Sequence, residues 1–156
     1  MTDPRELEKA RREITLIFDS ASYTASHEGN SATPRAMTEL LYRIYNRDIW
    51  SRSACDLMMD IMYRQQRNTR IPSKLPRGIL VAHKTGTITG MANDAGIIEI
   101  SKDNHCVITI FTRDEEFMEH HDPMKAREKL PIIESIMGEI ALLAFNYGKT
   151  LITESK

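Results

Sequence analysis

The stretch from Val81 to Asp94, which reads VAHKTGTITGMAND, places the strongest constraint on how this chain folds. An apolar run at residues 79–82 leads into it, and a second apolar run, Ala95–Ile100, comes after a segment that contains Gly90. Two short apolar runs separated by a glycine-containing turn are typical of a β-hairpin. The pattern therefore predicts a hairpin whose first strand carries the triplet Lys84-Thr85-Gly86.

The length and composition indicate one globular domain over residues 1–156. Hydrophobic residues make up 41% of the chain and charged residues 28%, which is ordinary for a protein with a packed core. The net charge of -1 gives no electrostatic reason to expect nucleic acid or an anionic membrane as a partner. No run of consecutive apolar residues approaches transmembrane length. The N-terminus, MTDPRELEKARRE, is charged throughout and does not resemble a signal peptide, so we expect a cytosolic chain or one that has lost its export segment.

Helix signals dominate the first seventy residues. Residues 1–30 predict a helix from Pro4 to about Phe18, capped by Asp3, followed by a polar loop to Asn30. Residues 31–70 predict two further helices. The Thr33-Pro34 pair starts one that runs to about Tyr45, and Ser51 caps another that runs from about Arg52 to Arg64. The residues expected on their apolar sides are Met37, Leu40, Leu41, Ile44, Cys55, Leu57, Met58, Ile61 and Met62.

Residues 71–156 predict three strands followed by a helix. The Ile71-Pro72 and Leu75-Pro76 pairs predict extended backbone, because the residue before proline avoids the helical region. The strands are expected at roughly Ile79–Lys84, Ala95–Ile100 and Cys106–Thr112, with Lys102-Asp103-Asn104 in the second turn. The last strand is apolar on both faces, which predicts a sheet covered on both sides. The fold class is therefore α/β of the α+β kind: an antiparallel three-stranded sheet with flanking helices.

The final helix is expected to start at Asp122-Pro123 and to end near Tyr147, with Gly148 as its stop and Pro131 as a kink or restart. Other polar groups favour unremarkable interpretations. We interpret His120-His121 as a solvated loop, His83 as a packed or exposed side chain, and Arg64, Arg67 and Arg70 as a solvated helix end. We interpret Cys55 and Cys106 as buried thiols, and we predict no metal and no cofactor.

Several motifs, by their content and by their order along the chain, resemble the C-terminal half of class A serine β-lactamases and related penicillin-binding serine hydrolases. They are Asn30-Ser31-Ala32-Thr33-Pro34-Arg35-Ala36-Met37, Ile71-Pro72 with Leu75-Pro76-Arg77-Gly78, His83-Lys84-Thr85-Gly86-Thr87, Asn93-Asp94, and Phe111-Thr112 before a long terminal helix. The resemblance covers about three quarters of the chain. It implies a partial β-lactamase or transpeptidase-like fold, in a family whose members are periplasmic or secreted.

The resemblance also implies roles for four residues in substrate binding. Lys84 is expected to supply a fixed positive charge for the substrate carboxylate, and the Thr85 hydroxyl to donate to the same carboxylate. Gly86 lacks a Cβ atom, so a ligand can approach the backbone closely. The Thr87 amide stands where the family places one donor of the oxyanion hole.

The family's nucleophile, a serine followed three residues later by lysine, has no counterpart in this sequence. No serine has a lysine three residues on; the serines are residues 20, 22, 26, 31, 51, 53, 73, 101, 135 and 155. The second box, Ser-x-Asn or Tyr-x-Asn, and the Glu-x-x-Leu-Asn motif are absent as well. An acyl-serine mechanism needs an activated nucleophile with a base in reach. We therefore expect no catalytic residue in this chain and no β-lactam turnover by it alone.

Two hypotheses remain open. In the first, the chain is the C-terminal part of a penicillin-recognising serine hydrolase whose substrate is a β-lactam or a peptidoglycan-like small molecule. The three strands of such a part would then expose an apolar face and an unpaired edge, which would drive homo-oligomerisation or pairing with the missing N-terminal half. In the second, it is a non-catalytic module that keeps this fold for binding a ligand or a protein. An in-frame Ser-x-x-Lys upstream of Met1 would favour the first hypothesis.

Overall fold

The computed structural model describes residues 32–88, 90–113 and 123–154, together with Arg5. Except for Arg5, the predicted N-terminal helix and loop lie outside the described residues, as does the His120-His121 segment. The chain divides into two compact units, Met1–Ile61 and Met62–Lys156. That residues 1–156 form one domain stays a prediction.

The first unit contains helix α1 (Pro34–Asn46) and most of helix α2 (Arg52–Tyr63). Both predicted caps are confirmed. The Ala36 amide donates to Thr33 Oγ1 at 3.1 Å, and the Ala54 amide donates to Ser51 Oγ at 3.2 Å. Two caps of this kind each stabilise a helix by about 1 kcal/mol. The helices are also joined by an ion pair at 2.9 Å between Arg47 and Asp56.

The residues predicted for the apolar sides of α1 and α2 are buried or partly buried, with one exception. Leu41, Ile44, Cys55 and Met62 are buried, whereas Ile61 is 55% exposed. The assignment of Ile61 to the apolar side was therefore wrong: residues 54, 55, 59 and 62 form the buried side of α2, and residue 61 lies at its edge, exposed.

The second unit is built on a three-stranded antiparallel sheet in the order β1-β2-β3, as predicted. The strands are β1 (Val81–Ile88), β2 (Met91–Ser101) and β3 (Asn104–Ile110). The β1–β2 ladder continues to the pair Ile88–Met91, and Gly90 has a φ of 78°. The predicted bounds of β1 and β2 were therefore too short at the hairpin end. The tight turn lets pairing extend through Thr85–Asp94 and Gly86–Asn93, so the triplet lies inside the strand.

A 3₁₀ helix at Ile71–Lys74 replaces the extended backbone predicted for Ile71-Pro72. Pro72 occupies its first turn, where the fixed φ of proline suits a helix. The N–H groups of a first turn have no partner within the helix, so the absence of an N–H in proline costs no hydrogen bond there. The Ser73 amide donates to the Arg70 carbonyl at 2.9 Å. Leu75, which follows this helix, has φ −69° and ψ 153° and is extended as predicted.

Helix α3 (Pro123–Glu154) packs on this 3₁₀ helix and on the sheet. The core between them consists of Ile71, Val81, Ile98, Ala141 and Phe145. The predicted stop at Gly148 was wrong, since the helix continues to Glu154, and it also runs through Pro131 without interruption. A Cβ atom at Gly148 would lie 2.3 Å from Ile100 Cδ1, so this glycine allows α3 to approach the sheet.

The central strand shows the two-sided burial that the sequence predicted for the sheet. Neighbouring residues of β2 point to opposite faces, and both Ile97 and Ile98 are fully buried. The prediction that the strands expose an apolar face therefore fails for β2. The exposed apolar surface of the described residues lies mainly on α3, whose segment Arg127–Glu154 is long and apolar enough to cross a membrane. The core helices of soluble proteins share that property.

Cys55 and Cys106 are free thiols. Cys55 is fully buried as predicted, whereas Cys106 is only half-buried in β3, so its assignment as a buried thiol was wrong. Burial raises the pKa of the Cys106 thiol.

Candidate functional site

The candidate residues Lys84, Thr85, Gly86 and Thr87 form the second half of β1. Lys84, Gly86 and Thr87 are exposed, and Thr85 is half-buried. Because side chains alternate along a strand, Lys84 leaves from one face of the sheet and the two threonines leave from the other. The four residues therefore share an edge of the sheet rather than one face.

The register of the hairpin determines which backbone groups of β1 point toward this edge. Hydrogen-bonded and non-bonded pairs alternate along an antiparallel ladder. The Glu99 amide donates to the Leu80 carbonyl at 3.0 Å, so that pair is hydrogen-bonded. Counting along the ladder places Thr85 and Thr87 in non-bonded pairs with Asp94 and Ala92. Their amides and carbonyls point away from β2, and within the described sheet β1 has no partner on that side.

The ammonium group of Lys84 also lies at this edge. Its Nζ donates to the Thr85 carbonyl, which points outward by the register just described. The edge of β1 thus brings together one positive charge and two backbone N–H donors. Such a combination is suited to binding a carboxylate and a polarised carbonyl oxygen.

The fold gives no reason for a glycine at position 86. An added Cβ atom would meet nothing closer than Asn93 Cβ, at 3.8 Å, which is an ordinary contact. The backbone at Gly86 is also outside the positive-φ region that favours glycine. Gly96 on the neighbouring strand is different, since a Cβ atom there would lie 2.6 Å from His83 Cβ.

Arg70 lies beneath the candidate edge and is fully buried. Its Nη1 donates to the carbonyls of Gly86 and Asn93 at 2.9 and 2.6 Å, and its Nη2 donates to Thr87 Oγ1 at 2.6 Å. Its Nε forms an ion pair at 3.1 Å with Glu134 of α3. The prediction that Arg70 belongs to a solvated helix end was therefore wrong, although Arg64 and Arg67 are exposed as expected. An Arg-x-x-Arg-x-x-Arg run gives no sign of which guanidinium the tertiary structure covers.

His83 and Asp94 form a second buried polar group under β1. His83 Nδ1 lies 3.0 Å from Asp94 Oδ1, and its Nε2 lies 3.1 Å from Asn68 Oδ1. The Ile71 amide donates to Asp94 Oδ2 at 3.1 Å. His83 is therefore packed in the interior, which is one of the two placements expected for it. Through its bond to the Ile71 amide, Asp94 connects β2 to the start of the 3₁₀ helix.

Asn93 fixes the end of the sheet next to the hairpin. The Thr112 amide donates to Asn93 Oδ1 at 2.9 Å, and the Ala92 amide donates to Thr112 Oγ1 at 3.1 Å. Among the described residues, no group of three or more His, Cys, Asp or Glu side chains is arranged to hold a metal ion.

Comparisons with known proteins agree on one family. The family model of the β-lactamase enzyme family matches residues 7–147. The chain is similar to β-lactamase VEB-1 from Pseudomonas aeruginosa, with 31% identity over 127 residues that cover 76% of this chain and 39% of VEB-1.

The fold is similar to that of two extended-spectrum β-lactamases. TLA-3 is 29% identical with a TM-score of 0.61, over 74% of this chain and 41% of TLA-3. TLA-1 is 25% identical with a TM-score of 0.63, over 90% of this chain and 54% of TLA-1. The chain thus spans about two fifths to one half of the length of these relatives.

Proposed function

This chain belongs to the β-lactamase enzyme family, and from that membership we propose that it forms the wall of a substrate cleft that holds the carboxylate of a β-lactam. The observation that carries the proposal is the clustering of the Lys84 ammonium and the Thr85 and Thr87 amides at one edge of β1. The Lys-Thr-Gly strand is a signature element of serine β-lactamases and penicillin-binding proteins.

Each of the four residues takes one role at this edge. Lys84 attracts the substrate carboxylate, and the Thr85 hydroxyl donates to it. Since the two side chains leave β1 from opposite faces, a carboxylate bound by both must sit at the strand edge, where Lys84 Nζ already lies next to the Thr85 carbonyl. Gly86 leaves room for the ligand, and the Thr87 amide donates to the β-lactam carbonyl oxygen as half of an oxyanion hole.

Arg70 supports this wall from below. Its guanidinium adds a second positive charge behind the strand. It donates three hydrogen bonds, one each to the Thr87 hydroxyl and to the carbonyls of Gly86 and Asn93. We assign Arg70 a positioning role rather than direct contact with substrate, because its side chain is fully buried.

The proposed function of the printed chain is binding without turnover. Its sequence has no Ser-x-x-Lys, so no nucleophile stands ready to attack a β-lactam carbonyl. The acyl-serine hydrolysis of a β-lactam belongs to the whole family enzyme, in which this chain would supply the carboxylate wall. The alternative, a non-catalytic module, shares the same ligand-binding edge and differs only in having no catalytic partner.

Binding is tested by titrating the ¹⁵N-labelled chain with benzylpenicillin and following amide chemical shifts. We expect shifts concentrated at residues 84–87 and, in Lys84→Ala, a Kd about tenfold weaker, because a charge-assisted hydrogen bond is lost. Lys102→Ala is the matched control, since Lys102 is an exposed lysine of the β2–β3 turn. Equal chemical-shift changes in both variants, or no changes near residue 86, would contradict the proposed site.

A further inference from the structure

His83 and Asp94 lie beside Thr85 on the inner face of the sheet. The ladder pairs His83 with Gly96 and Thr85 with Asp94, and residues that oppose each other in an antiparallel pair share one face. Both pairs are of the non-hydrogen-bonded kind, in which opposing side chains come closest. The Asp94 carboxylate therefore lies directly across from the Thr85 side chain.

Both oxygens of the Asp94 carboxylate are occupied by donors other than Thr85. His83 Nδ1 lies 3.0 Å from Oδ1 and 3.1 Å from Oδ2, and the Ile71 amide donates to Oδ2 at 3.1 Å. Because a carboxylate only accepts hydrogen bonds, His83 carries a proton on Nδ1. The hydrogen bonds within the described part of the chain include none from the Thr85 hydroxyl, which leaves that group available to a ligand.

The position of the His83 ring depends on Gly96. A Cβ atom at residue 96 would lie 2.6 Å from His83 Cβ and 2.7 Å from the Ala82 carbonyl oxygen. His83 is 1% exposed and Asp94 is fully buried. The fold therefore leaves room for an imidazole at this place and excludes water from its contact with the carboxylate.

The buried guanidinium of Arg70 does not take the place of His83, because its donors face other acceptors. These acceptors are the Glu134 carboxylate, the carbonyls of Gly86 and Asn93, and the Thr87 hydroxyl. Without the imidazole, Asp94 Oδ1 would lose its donor, which is unfavourable for a buried oxygen. The Thr85 hydroxyl, directly across the strand pair, is then the donor placed to replace it.

We propose that His83 is a positioning residue of the β1 edge: it occupies the Asp94 carboxylate, so that the Thr85 hydroxyl is left to donate to the ligand. Without the imidazole, Thr85 would donate to Asp94, and a less compensated negative charge would face a negatively charged ligand. This inference rests on the proposed function, since the ligand is the same β-lactam carboxylate.

Titration of two His83 variants with benzylpenicillin tests the role of the Nδ1 donor. His83→Leu removes the donor at similar side-chain volume, and its Kd should be about tenfold weaker, because the bond from Thr85 to the ligand is lost. His83→Asn is the matched control. Its amide nitrogen can stand in for Nδ1, so its Kd should stay within about twofold of that of the parent chain.

Asp94→Asn distinguishes the release of Thr85 from a general loss of structure. The asparagine keeps an oxygen for the Ile71 amide, while its N–H group donates to Thr85 Oγ1 instead of accepting from it. The double variant His83→Leu/Asp94→Asn should therefore bind within about twofold of the parent, and Asp94→Asn alone should bind no more weakly than the parent. Weaker binding by Asp94→Asn alone overturns the proposal even if His83→Leu fails to fold, and so does a double variant without rescue.

A measurement without ligand keeps this inference distinct from the proposed function. A Thr85 hydroxyl bonded to a buried carboxylate exchanges slowly with water, so its proton should appear in the NMR spectrum of His83→Leu and be absent from those of the parent and the double variant. A parent chain that binds no benzylpenicillin overturns the proposed function, whereas the hydroxyl proton still reports whether His83 keeps Thr85 from Asp94. A parent chain that binds, with no such proton in His83→Leu, overturns the role of His83 alone.

Discussion

At the scale of single residues, Gly86 and Gly96 contrast a glycine that the fold does not require with one that it does. Neither backbone conformation nor packing requires glycine at position 86, whereas Gly96 lies against His83. The two positions lie on paired strands, Gly86 opposite Asn93 and Gly96 opposite His83, so each serves as the control for the other.

We expect Gly86→Ala to leave thermal stability nearly unchanged and to weaken benzylpenicillin binding, because the new methyl group projects where the ligand approaches. Gly96→Ala should instead destabilise the fold by about 1–3 kcal/mol, since His83 and the Ala82 carbonyl must move. Urea denaturation with a binding titration measures both quantities. A destabilised Gly86→Ala variant with unchanged affinity would contradict our assignment of Gly86 to the site.

Arg70 is the residue whose importance the sequence concealed. Its buried guanidinium connects α3, β1 and β2 through Glu134, Thr87, Gly86 and Asn93. Truncating one partner of a buried ion pair leaves the other without compensation.

Arg70→Ala is therefore expected to lower the free energy of unfolding by about 3 kcal/mol. Arg67→Ala is the comparison, because Arg67 is half-exposed and lies 3.7 Å from the same Glu134 carboxylate. It should cost at most about 1 kcal/mol, as exposed ion pairs usually do. Equal losses in the two variants, measured by urea denaturation, would show that burial of Arg70 contributes nothing to stability.

At the scale of elements, α3 shows how a glycine within a helix can serve packing rather than termination. Gly138 is buried against the 3₁₀ helix, where an added Cβ atom would lie 2.2 Å from Ser73 Oγ and 3.3 Å from the Arg70 carbonyl. Gly148 approaches only the flexible end of the Ile100 side chain of β2. Gly138 therefore determines how closely α3 packs on the 3₁₀ helix.

Gly138→Ala is expected to destabilise the protein by about 1–3 kcal/mol, although alanine is the better helix former by about 1 kcal/mol. The new methyl group displaces the 3₁₀ helix, and with it the backbone of Arg70. Glu139→Ala, at an exposed position of the same helix, should change stability by less than about 0.5 kcal/mol. A Gly138→Ala variant that is more stable than the parent, by thermal denaturation, would mean that the contact with Ser73 relaxes freely.

At the scale of the whole molecule, the chain combines the proposed substrate-binding edge with a sequence that contains no Ser-x-x-Lys motif. The edge residues and Arg70 all belong to the unit Met62–Lys156. All ten serines of the printed sequence lack the lysine that activates the family nucleophile. We therefore predict that the 156-residue chain binds a β-lactam without being acylated by it.

We expect no covalent adduct when the 156-residue chain is incubated with a fluorescent penicillin and analysed by intact-mass spectrometry. A serine hydroxyl without an adjacent base is too weak a nucleophile to open the β-lactam ring at a comparable rate. An active class A β-lactamase treated in parallel confirms that the probe reacts. A stoichiometric adduct on this chain would reveal a nucleophile outside the Ser-x-x-Lys motif, and peptide mapping would identify the residue.

The sequence alone was sufficient for the local features of this protein. The caps at Thr33 and Ser51, the order of the three strands and the turn at Lys102-Asp103 follow from residues within a few positions of each other. Local hydrogen bonds and alternating polarity carry that information along the chain. The family resemblance likewise came from short motifs, and the comparisons confirm it.

Only the tertiary structure decided which polar groups are covered and where the helices and strands end. Arg70 is buried because α3 and the hairpin close over it, and α3 continues past Gly148 along the sheet. The position of Lys84-Thr85-Gly86 inside β1 depends on how far β2 pairs back along the hairpin. Each of these outcomes depends on contacts between residues far apart in sequence, which short-range patterns of residue type do not encode.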